Sequence, residues 1–350
     1  MKIGFLTSST GWGGLERNLL RYASWVGECG HEAVVFAVDG APVARASGRF
    51  EPIERQPRYF AWQAAKRLAK RLRGLKVEVL WVRDPRDLAF AGMAAKRAGI
   101  PLIFQQGMQF SKAKHTPWHA LRFGRVARWV APARWLAEQA LRMTPLRPDQ
   151  VSTIPLALDD SWFTAPHNAD ARSRWNWPAE ARIVGLFGRF DPLKGQAELL
   201  HALAQAPGVH GWFIGESTVN EGRSHEAELT ALADDLGLSD RVRFSPPTED
   251  LRTAYDAIDA FALCSTSETF GMVTLEALAR GCFVIGTRSG GTPELLQHHP
   301  GTALYDPGDP AALAALIRNL PTHRFRRDLT PYTKSQALAS WNRLLAELVS

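Results

Sequence analysis

The sequence is poor in cysteine and contains no long apolar run. Its three cysteines, Cys29, Cys264 and Cys282, have neither the spacing of a zinc site nor that of a disulfide framework, and they are typical of a reducing compartment. No stretch reaches the ~20 apolar residues of a membrane span. The run at residues 3–6 is too short for a signal peptide and predicts a first strand. These features predict a cytoplasmic protein.

Two nucleotide-binding signatures are also missing. The sequence contains neither the G-x-G-x-x-G fingerprint of dinucleotide-binding enzymes nor the G-x-x-x-x-G-K-[ST] loop of ATPases. Both absences argue against NAD and ATP as ligands. The net charge of +7 and the isoelectric point near 9.5 nevertheless favour an anionic partner. A membrane surface, a phosphorylated acceptor and a nucleic acid all fit that charge.

The same succession of strand, glycine-containing loop and helix occurs twice. It begins at residue 2, with Gly13 and Gly14 in the loop, and again at Ile183. Strands alternate with helices in both halves, which predicts parallel sheets that bind ligands at the carboxyl ends of their strands. The predicted fold class is therefore α/β with two Rossmann-like domains. Their predicted bounds are residues 1–165 and 166–330, with a final helix in residues 331–350.

Two glutamates separated by seven residues lie in the stretch Ser267–Glu276. Glu268 falls in a loop after a buried-strand pattern, and Glu276 falls in the early turns of the next helix. N–H groups near Gly271, at the start of that helix, attract phosphate. Carboxylates repel phosphate but accept hydrogen bonds from hydroxyl groups. A nucleotide sugar suits both features, because it has phosphates in its middle and hydroxyls on both sides.

A basic loop follows the strand that begins the second half. Arg189 and Lys194 lie in it between Gly188 and Gly195. Arginine offers a planar fork of donors and lysine a point charge. Together these two side chains could neutralise a diphosphate.

These segments resemble a known family. The two glutamates, continued by Ala277–Gly281 and Gly290–Glu294, are similar to the donor-site signature of glycosyltransferase family 4, the group 1 retaining glycosyltransferases. The basic loop resembles the G-R…K-G donor element of that family, and Gly13-Gly14-Leu15-Glu16 resembles its GG-x-E loop. The resemblance implies the GT-B fold, in which two Rossmann-like domains face each other across a cleft. It also implies that the final helix crosses back to the first domain.

The resemblance implies a retaining hexosyltransferase. Such an enzyme moves a sugar from a UDP- or GDP-linked donor, bound by the second domain, to a hydroxyl of a glycan or lipid-linked acceptor, bound by the first. Lipopolysaccharide or other cell-envelope polysaccharide synthesis is the implied pathway. No cofactor and no metal are expected, because Arg189 and Lys194 would neutralise the leaving diphosphate.

The resemblance also implies roles for single residues. Glu276 would accept hydrogen bonds from the ribose, and Glu268 from the donor sugar. The family often has a histidine after the strand at residues 100–104, where this sequence has Gln105 and Gln106, with His115 and His119 further on. The implied catalytic residues are Glu268, Arg189, Lys194 and His119. The implied donor-binding residues are Gly13, Gly14, Gly188, Arg189, Lys194, Glu268, Phe270, Gly271, Met272 and Glu276.

Two other functions remain open from the sequence. One is a GT-B enzyme of another chemistry, epimerase-like or phosphorylase-like. The other is a basic nucleic-acid-binding protein, although no RNA- or DNA-binding module is present. The family resemblance predicts no nucleic-acid partner.

Residues 58–76 form a basic amphipathic pattern. Six basic residues lie between Lys66 and Lys76 with no acid among them, and Trp62, Ala65, Leu68, Leu72 and Leu75 recur at helical spacing. A helix of this kind suits either a core-facing position or an anionic bilayer surface. The second reading predicts peripheral association with the inner face of the cytoplasmic membrane.

Overall fold

The computed structural model describes residues 1–55, 61–217, 219–220 and 223–349. The chain divides into two compact units, the first consisting of Met1–Pro155 with Ser335–Ser350 and the second of Leu156–Lys334. The main segment of the first unit therefore ends at Pro155, before the boundary that the sequence analysis placed at residue 165. Each unit is built on a parallel sheet.

In the described part of the first unit, seven parallel strands form one sheet in the order β3-β2-β1-β4-β5-β6-β7. The strands are β1 (Lys2–Thr7), β2 (Glu32–Val38), β3 (Glu51–Ile53), β4 (Val79–Val82), β5 (Leu102–Gln105), β6 (Arg128–Ala131) and β7 (Val151–Thr153). The helices of this segment are α1 (Gly14–Glu28), α2 (Pro42–Ser47), α3 (Trp62–Gly74), α4 (Leu88–Ala98), α5 (Pro117–Phe123) and α6 (Arg134–Met143). A short 3-10 helix precedes β7.

The central strands of this sheet are short and wholly buried. Every residue of β4 and β5 is buried, which is why both strands are almost continuously apolar. Leu68 and Leu72 of α3 and Ala91 of α4 pack into the same core as these strands. The alternation of strand and helix in the sequence is therefore matched by burial in the structure.

The second unit repeats this strand order in its main sheet. Six parallel strands follow the order β12-β9-β8-β13-β14-β15, and β10 pairs separately with β11. The strands are β8 (Arg182–Phe187), β9 (Val209–Ile214), β10 (Val219–Asn220), β11 (Arg223–Ser224), β12 (Val242–Ser245), β13 (Ala260–Leu263), β14 (Phe283–Thr287) and β15 (Thr302–Tyr305). The helices are α7 (Ser161–Thr164), α8 (Ala171–Arg174), α9 (Gln196–Ala204), α10 (His225–Asp235), α11 (Leu251–Ala257), α12 (Met272–Ala279), α13 (Thr292–Leu296) and α14 (Pro310–Arg318).

The last helix, α15 (Lys334–Val349), packs on the first unit. The ring of Trp341 lies 3.8 Å from that of Trp81 in β4, measured between centroids, and 5.8 Å from that of Tyr22 in α1. Nε2 of His31 lies 3.1 Å from Oδ1 of Asn342. Aromatic packing and this polar contact thus attach the end of the chain to the unit formed by its beginning.

All three cysteines are free thiols in the structure. Cys264 and Cys282 are wholly buried in the second unit, whereas Cys29, at the end of α1, is partly accessible. Burial raises the pKa of Cys264 to about 12 and also raises the pKa of Cys282. None of the described helices is long and apolar enough to cross a membrane.

Several short elements have no counterpart in the sequence-based prediction. They include α2, β3, α5, β7 and β15. Strands of three or four residues are too short for a period of two to stand out against chance, and β3 also contains Pro52. Each of these strands is stabilised by pairing at or beside a sheet edge, which depends on residues distant in sequence.

Candidate functional site

The strand order of each unit reverses direction beside its first strand. In the second unit the reversal falls between β8 and β13, which are paired in parallel. The loops that follow two such strands diverge and leave a crevice, which is the usual ligand site of open α/β sheets. Here these loops are residues 188–195 and 264–271, the two segments that the sequence analysis selected for donor binding.

Backbone contacts fix the loop of residues 188–195. Gly188 has φ of +148°, and a Cβ on Gly215 would lie only 2.0 Å from the Gly188 carbonyl oxygen. Asp191 caps the 3-10 turn Pro192–Lys194 by accepting a hydrogen bond from the Leu193 N–H at 3.0 Å. Gly195 then has φ of +73°, and a Cβ there would lie 2.2 Å from the Cys264 carbonyl oxygen. The two loops of the crevice therefore touch through their backbones, where only glycine fits.

The predicted lysine and glutamate of the site form an ion pair across the crevice. Nζ of Lys194 lies 2.9 Å from Oε2 of Glu268, and both side chains are partly buried. Arg189 is more exposed, at 63% of its side chain, and its Nη2 lies 3.1 Å from a carboxylate oxygen of Asp191. The crevice thus holds two cations and two carboxylates, which can bind charged and hydroxylated groups side by side.

The helix that follows Glu268 begins in this crevice. Gly271 is the N-cap of α12 with φ of +84°, and a Cβ there would approach Oγ1 of Thr274 to 2.9 Å. Met272 starts the helix half-buried, and Phe270 is buried. The first N–H groups of a helix have no partner within it, so they are available to an anion.

A third loop braces the one that carries Glu268. The N–H of Gly291 donates to the Glu268 carbonyl at 3.0 Å, and a Cβ on Gly291 would lie 2.5 Å from the Thr269 carbonyl oxygen. The hydroxyls of Thr287 and Ser289 donate to the carbonyls of Ser265 and Thr266. These contacts give a structural reason for the glycine at residue 291.

Glu276 lies within α12 and is almost wholly buried. Its Oε2 accepts a hydrogen bond from the hydroxyl of Tyr255 at 3.0 Å. The same hydroxyl lies 3.0 Å from the carbonyl of Val273. Burial, and secondly the charge of Glu276, raise the pKa of the Tyr255 hydroxyl well above its ordinary value. The phenol therefore stays protonated and holds the carboxylate in one orientation.

The structure places the predicted residues of the first unit around the start of α1. Gly13 is the N-cap and Gly14 the first helical residue. The N–H of Gly13 donates to Oε2 of Glu16 at 2.9 Å, so Glu16 holds the glycine loop in place. Because Gly13 and Gly14 lie in the first unit, they belong to a different compact unit from the other donor-binding candidates.

The two histidine candidates lie at the surface of the first unit. Nδ1 of His119 lies 2.8 Å from Oγ1 of Thr116, the N-cap of α5. Partial burial and nearby cations, Arg122 and Lys114 among them, lower the pKa of His119, which favours the neutral ring. Nε2 of His115 lies 3.2 Å from the Arg142 carbonyl. A catalytic role for His119 stays a prediction.

Two residues of the site escaped sequence analysis. Asp191 could have been found, because an Asp before Pro commonly caps a turn. Tyr255 carries no such signal, since a tyrosine in a short apolar helix is usually a packing residue. Within the described ranges, no group of three or more His, Cys, Asp or Glu is arranged to hold a metal. That the reaction needs no metal stays a prediction.

Two units of this strand order define the GT-B class of proteins, and family profiles identify the family. The profile described as "Glycosyl transferases group 1" matches residues 168–336, and the profile described as "Glycosyltransferase Family 4" matches residues 12–162. The matches together span most of the chain, and the chain belongs to the group 1 glycosyltransferases of family 4.

Two curated relatives show the extent of sequence similarity. A D-inositol 3-phosphate glycosyltransferase of Mycobacterium sp. (strain KMS) is 35% identical over 186 residues, which cover 53% of this chain and 42% of the relative. The lipopolysaccharide core biosynthesis glycosyltransferase LpsE of Rhizobium meliloti is 35% identical over 149 residues, which cover 43% of this chain and 42% of the relative. The chain therefore spans less than half the length of the curated relatives it matches.

A solved structure shows that the fold is shared over the whole chain. The crystal structure of Anabaena HepE in complex with UDP-glucose superposes with a TM-score of 0.77 at 24% identity, covering 99% of this chain and 98% of that chain. At this identity the likeness supports the fold alone, which is GT-B.

Proposed function

We propose that this glycosyltransferase moves a hexose from a UDP- or GDP-linked donor to a hydroxyl of a glycan or lipid-linked acceptor, with retention of the anomeric configuration. The observation that carries the proposal is the ion pair between Lys194 and Glu268, whose charged atoms lie 2.9 Å apart. The pair lies next to the start of α12, at the switch point of the second unit, which is the place where its strand order reverses. A cation for the diphosphate and a carboxylate for the sugar hydroxyls are thereby held in contact.

Similar proteins support the choice of donor and pathway. The HepE structure contains UDP-glucose. One curated relative is named for inositol phosphate and another for the lipopolysaccharide core. We therefore propose a nucleoside-diphosphate hexose as donor and a cell-envelope glycan, made at the cytoplasmic face of the membrane, as the product.

The proposed mechanism uses the charges of the second unit. As the bond between the sugar and the diphosphate breaks, negative charge develops on the leaving phosphate oxygen. Lys194 and Arg189, with the N–H groups at the start of α12, stabilise that charge. Glu268 accepts hydrogen bonds from the donor sugar, and Glu276 accepts them from the ribose. No cofactor takes part in this scheme, and the cations of the protein take the place of a metal.

The first unit buries two carboxylates in the loop that follows its central strand β4. Asp84 and Asp87 follow β4 and are almost wholly buried. Asp84 accepts hydrogen bonds from the side chain of Arg86, at 2.6 Å and 2.9 Å to Oδ2, and Asp87 accepts from the N–H of Ser8 at 2.8 Å and from its hydroxyl. Since both carboxylates are already engaged, we propose front-face attack by the acceptor rather than a double displacement through a side-chain nucleophile.

A donor screen tests the proposal. We expect slow release of free nucleoside diphosphate from one member of a panel of UDP-, GDP- and ADP-hexoses, with an unchanged rate in EDTA. Added glycan acceptor should yield an α-linked product from an α-linked donor.

A strict requirement for Mg²⁺ or Mn²⁺ would contradict the metal-free scheme. Sugar epimerisation without diphosphate release, or phosphorolysis, would indicate another GT-B chemistry. RNA binding without a thermal shift by nucleotide sugars would indicate a nucleic-acid-binding protein.

The structure leaves fewer side chains of α3 available to a membrane than the sequence suggested. Ala65, Leu68 and Leu72 of α3 are buried in the protein core, so they are not available to a bilayer. Arg67 and Arg71 form ion pairs with Glu54 and Glu51, acids that belong to or follow β3 rather than α3. The aromatic residues Tyr59 and Phe60 lie outside the described residues. The uniformly basic face that the sequence suggested is thus partly neutralised.

We propose that a smaller set of exposed side chains binds an anionic membrane. Lys66, Lys70 and Lys76 are exposed, and Trp62 is 55% exposed at the start of α3. Each lysine near an anionic bilayer contributes about 1 kcal/mol. The expected binding is therefore weak, reversible and sensitive to salt.

Co-sedimentation with vesicles that contain anionic lipid tests this proposal. Wild-type protein should sediment at low salt and be released at high salt, and the Lys66/Lys70/Lys76→Gln variant should not sediment. An Arg174/Arg252/Arg288→Gln variant, which removes three exposed charges from the second unit, is the matched control and should bind like wild type. Equal sedimentation of both variants, or no sedimentation of the wild type, would refute the proposal.

A further inference from the structure

The switch point of the first unit contains a buried cation. Arg83 directly follows β4 and is 3% exposed. Its Nε and Nη1 atoms are buried and have no hydrogen-bond partner within the described ranges. Burial lowers the pKa of the guanidinium to about 10, so it remains charged at neutral pH. A buried charge that lacks its hydrogen bonds destabilises the folded protein unless something else compensates it.

Three acids lie at this switch point, and each accepts hydrogen bonds from groups other than Arg83. The carboxylate of Glu16 accepts the N–H of Gly13 at 2.9 Å. Asp84, next in sequence, accepts from the Arg86 backbone N–H at 2.8 Å as well as from its side chain. The carboxylate of Asp87 accepts a hydrogen bond from the N–H of Ser8. The carboxylates of this switch point therefore do not fill the donor sites of Arg83.

A second unused donor lies at the end of the neighbouring strand. Gln105 ends β5, which pairs in parallel with β4. Its Oε1 accepts the indole N–H of Trp81 at 3.2 Å, while its Nε2 is buried without a partner. Arg83 and Gln105 thus leave three nitrogen positions that can donate, all at the carboxyl edge of the sheet. The hydroxyl of Tyr22 is also buried, has no hydrogen-bond partner among the described residues and interacts with Arg83, but the donors outnumber this one acceptor. An excess of donors favours a ligand that accepts hydrogen bonds.

The loop after β5 packs closely against α1 beside the guanidinium. A Cβ on Gly107 would lie 2.1 Å from Cδ2 of Leu15 and 3.4 Å from Nη2 of Arg83. Glycine is therefore needed where the loop after β5 passes between α1 and this arginine. A narrow crevice remains there, lined by Thr7, Leu15, Glu16, Leu19, Arg83 and Asp84.

We propose that Arg83 and Gln105 bind an oxyanion of the acceptor, so that the acceptor substrate is an anionic glycan or glycolipid rather than a neutral sugar. The inference rests on the proposed transferase function, because it names the class of its acceptor. The oxyanion accepts charge-assisted hydrogen bonds from Arg83. It thereby compensates the buried charge and fixes one end of the acceptor in the first unit. A phosphate and a carboxylate share this chemistry.

Thermal shift with inorganic phosphate tests the site without any nucleotide sugar. The Arg189→Ala/Lys194→Ala background is used, so that the proposed diphosphate site does not contribute. We expect phosphate to raise the Tm of this background by about 2–4 °C. The shift should disappear on adding Arg83→Gln and persist on adding Lys96→Gln, the control for lost charge. An acetate series in parallel distinguishes a carboxylate site, which responds to both anions, from a phosphate site.

The outcomes separate this proposal from the proposed function. Absence of any anion shift in the background, or a shift that survives Arg83→Gln, would overturn it, whatever the donor screen shows.

A second variant excludes a purely structural role. Arg83→Met should raise the Tm of the ligand-free protein while abolishing the anion shift, because it removes an uncompensated buried charge. A lower Tm for Arg83→Met would mean that the guanidinium is already satisfied, and would count against the site.

Discussion

Replacing Lys194 by alanine is expected to reduce donor use by ~10- to 100-fold with little loss of stability. One charge-assisted contact to a diphosphate is worth on the order of 1.5–3 kcal/mol. Lys194 lies in a surface turn, so the fold does not depend on its side chain. The same reduction is expected for Arg189→Ala. Steady-state kinetics with the donor identified in the screen, together with the Tm of each variant, measures both effects.

An exposed arginine elsewhere in the second unit provides the control. Arg174 resembles Arg189 in exposure and in its partner, since its Nη2 lies 2.8 Å from a carboxylate oxygen of Asp250. Arg174→Ala should leave donor use unchanged. Wild-type kinetics in both Lys194→Ala and Arg189→Ala would show that these cations do not bind the diphosphate.

Glu276→Gln and Glu268→Gln are expected to separate binding of the nucleotide from turnover of the sugar. Glu276 is assigned to the ribose, which is present in both the donor and the free nucleoside diphosphate. Its amide variant should therefore weaken calorimetric binding of the diphosphate by ~10-fold or more, the worth of one hydrogen bond to a charged group. Glu268 is assigned to the sugar, so Glu268→Gln should lower kcat and leave diphosphate affinity nearly unchanged.

Tyr255→Phe distinguishes a direct role of Glu276 from a general disturbance of α12. This change removes the 3.0 Å hydrogen bond to Glu276 and retains the carboxylate. We expect a smaller loss of diphosphate affinity than in Glu276→Gln. Equal loss of affinity in the Glu268 and Glu276 variants would mean that the assigned roles are wrong or that the loop between them has rearranged.

The fold class could be predicted from the sequence because it depends on local patterns, and the same patterns located the candidate donor-site residues in two loops and a helix. The order of strand, loop and helix identifies a doubly wound sheet, and the spacing of Glu268 and Glu276 places one in a loop and the other in the helix. The contact of Lys194 with Glu268 joins positions 74 residues apart, on loops that adjoin because β8 pairs with β13. Neither composition nor periodicity carries that information.

Burial was the main feature that sequence reasoning could not supply for the first unit. In the sequence, Arg83, Asp84 and Asp87 have the pattern of an ordinary polar loop. In the structure all three are buried after the carboxyl end of the central strand β4. The basic helix α3 shows the opposite error. No acid lies between Lys66 and Lys76, but Glu51 and Glu54 pair with arginines of this helix that lie 20 and 13 residues further along the chain. Partners that come from other elements are decided by the tertiary structure.

The contrast among the three thiols has a practical use for measuring motion. Thiolates, not thiols, react with maleimides, so the raised pKa values of the buried Cys264 and Cys282 make them slow to react in the folded protein. Cys29 is partly accessible, at the end of α1. The unmodified chain therefore offers a single reactive position for a fluorophore, placed in the first unit and remote in sequence from the loops of residues 188–195 and 264–271. Fluorescence from that position could report what donor binding does to the first unit, with no need to engineer other cysteines away.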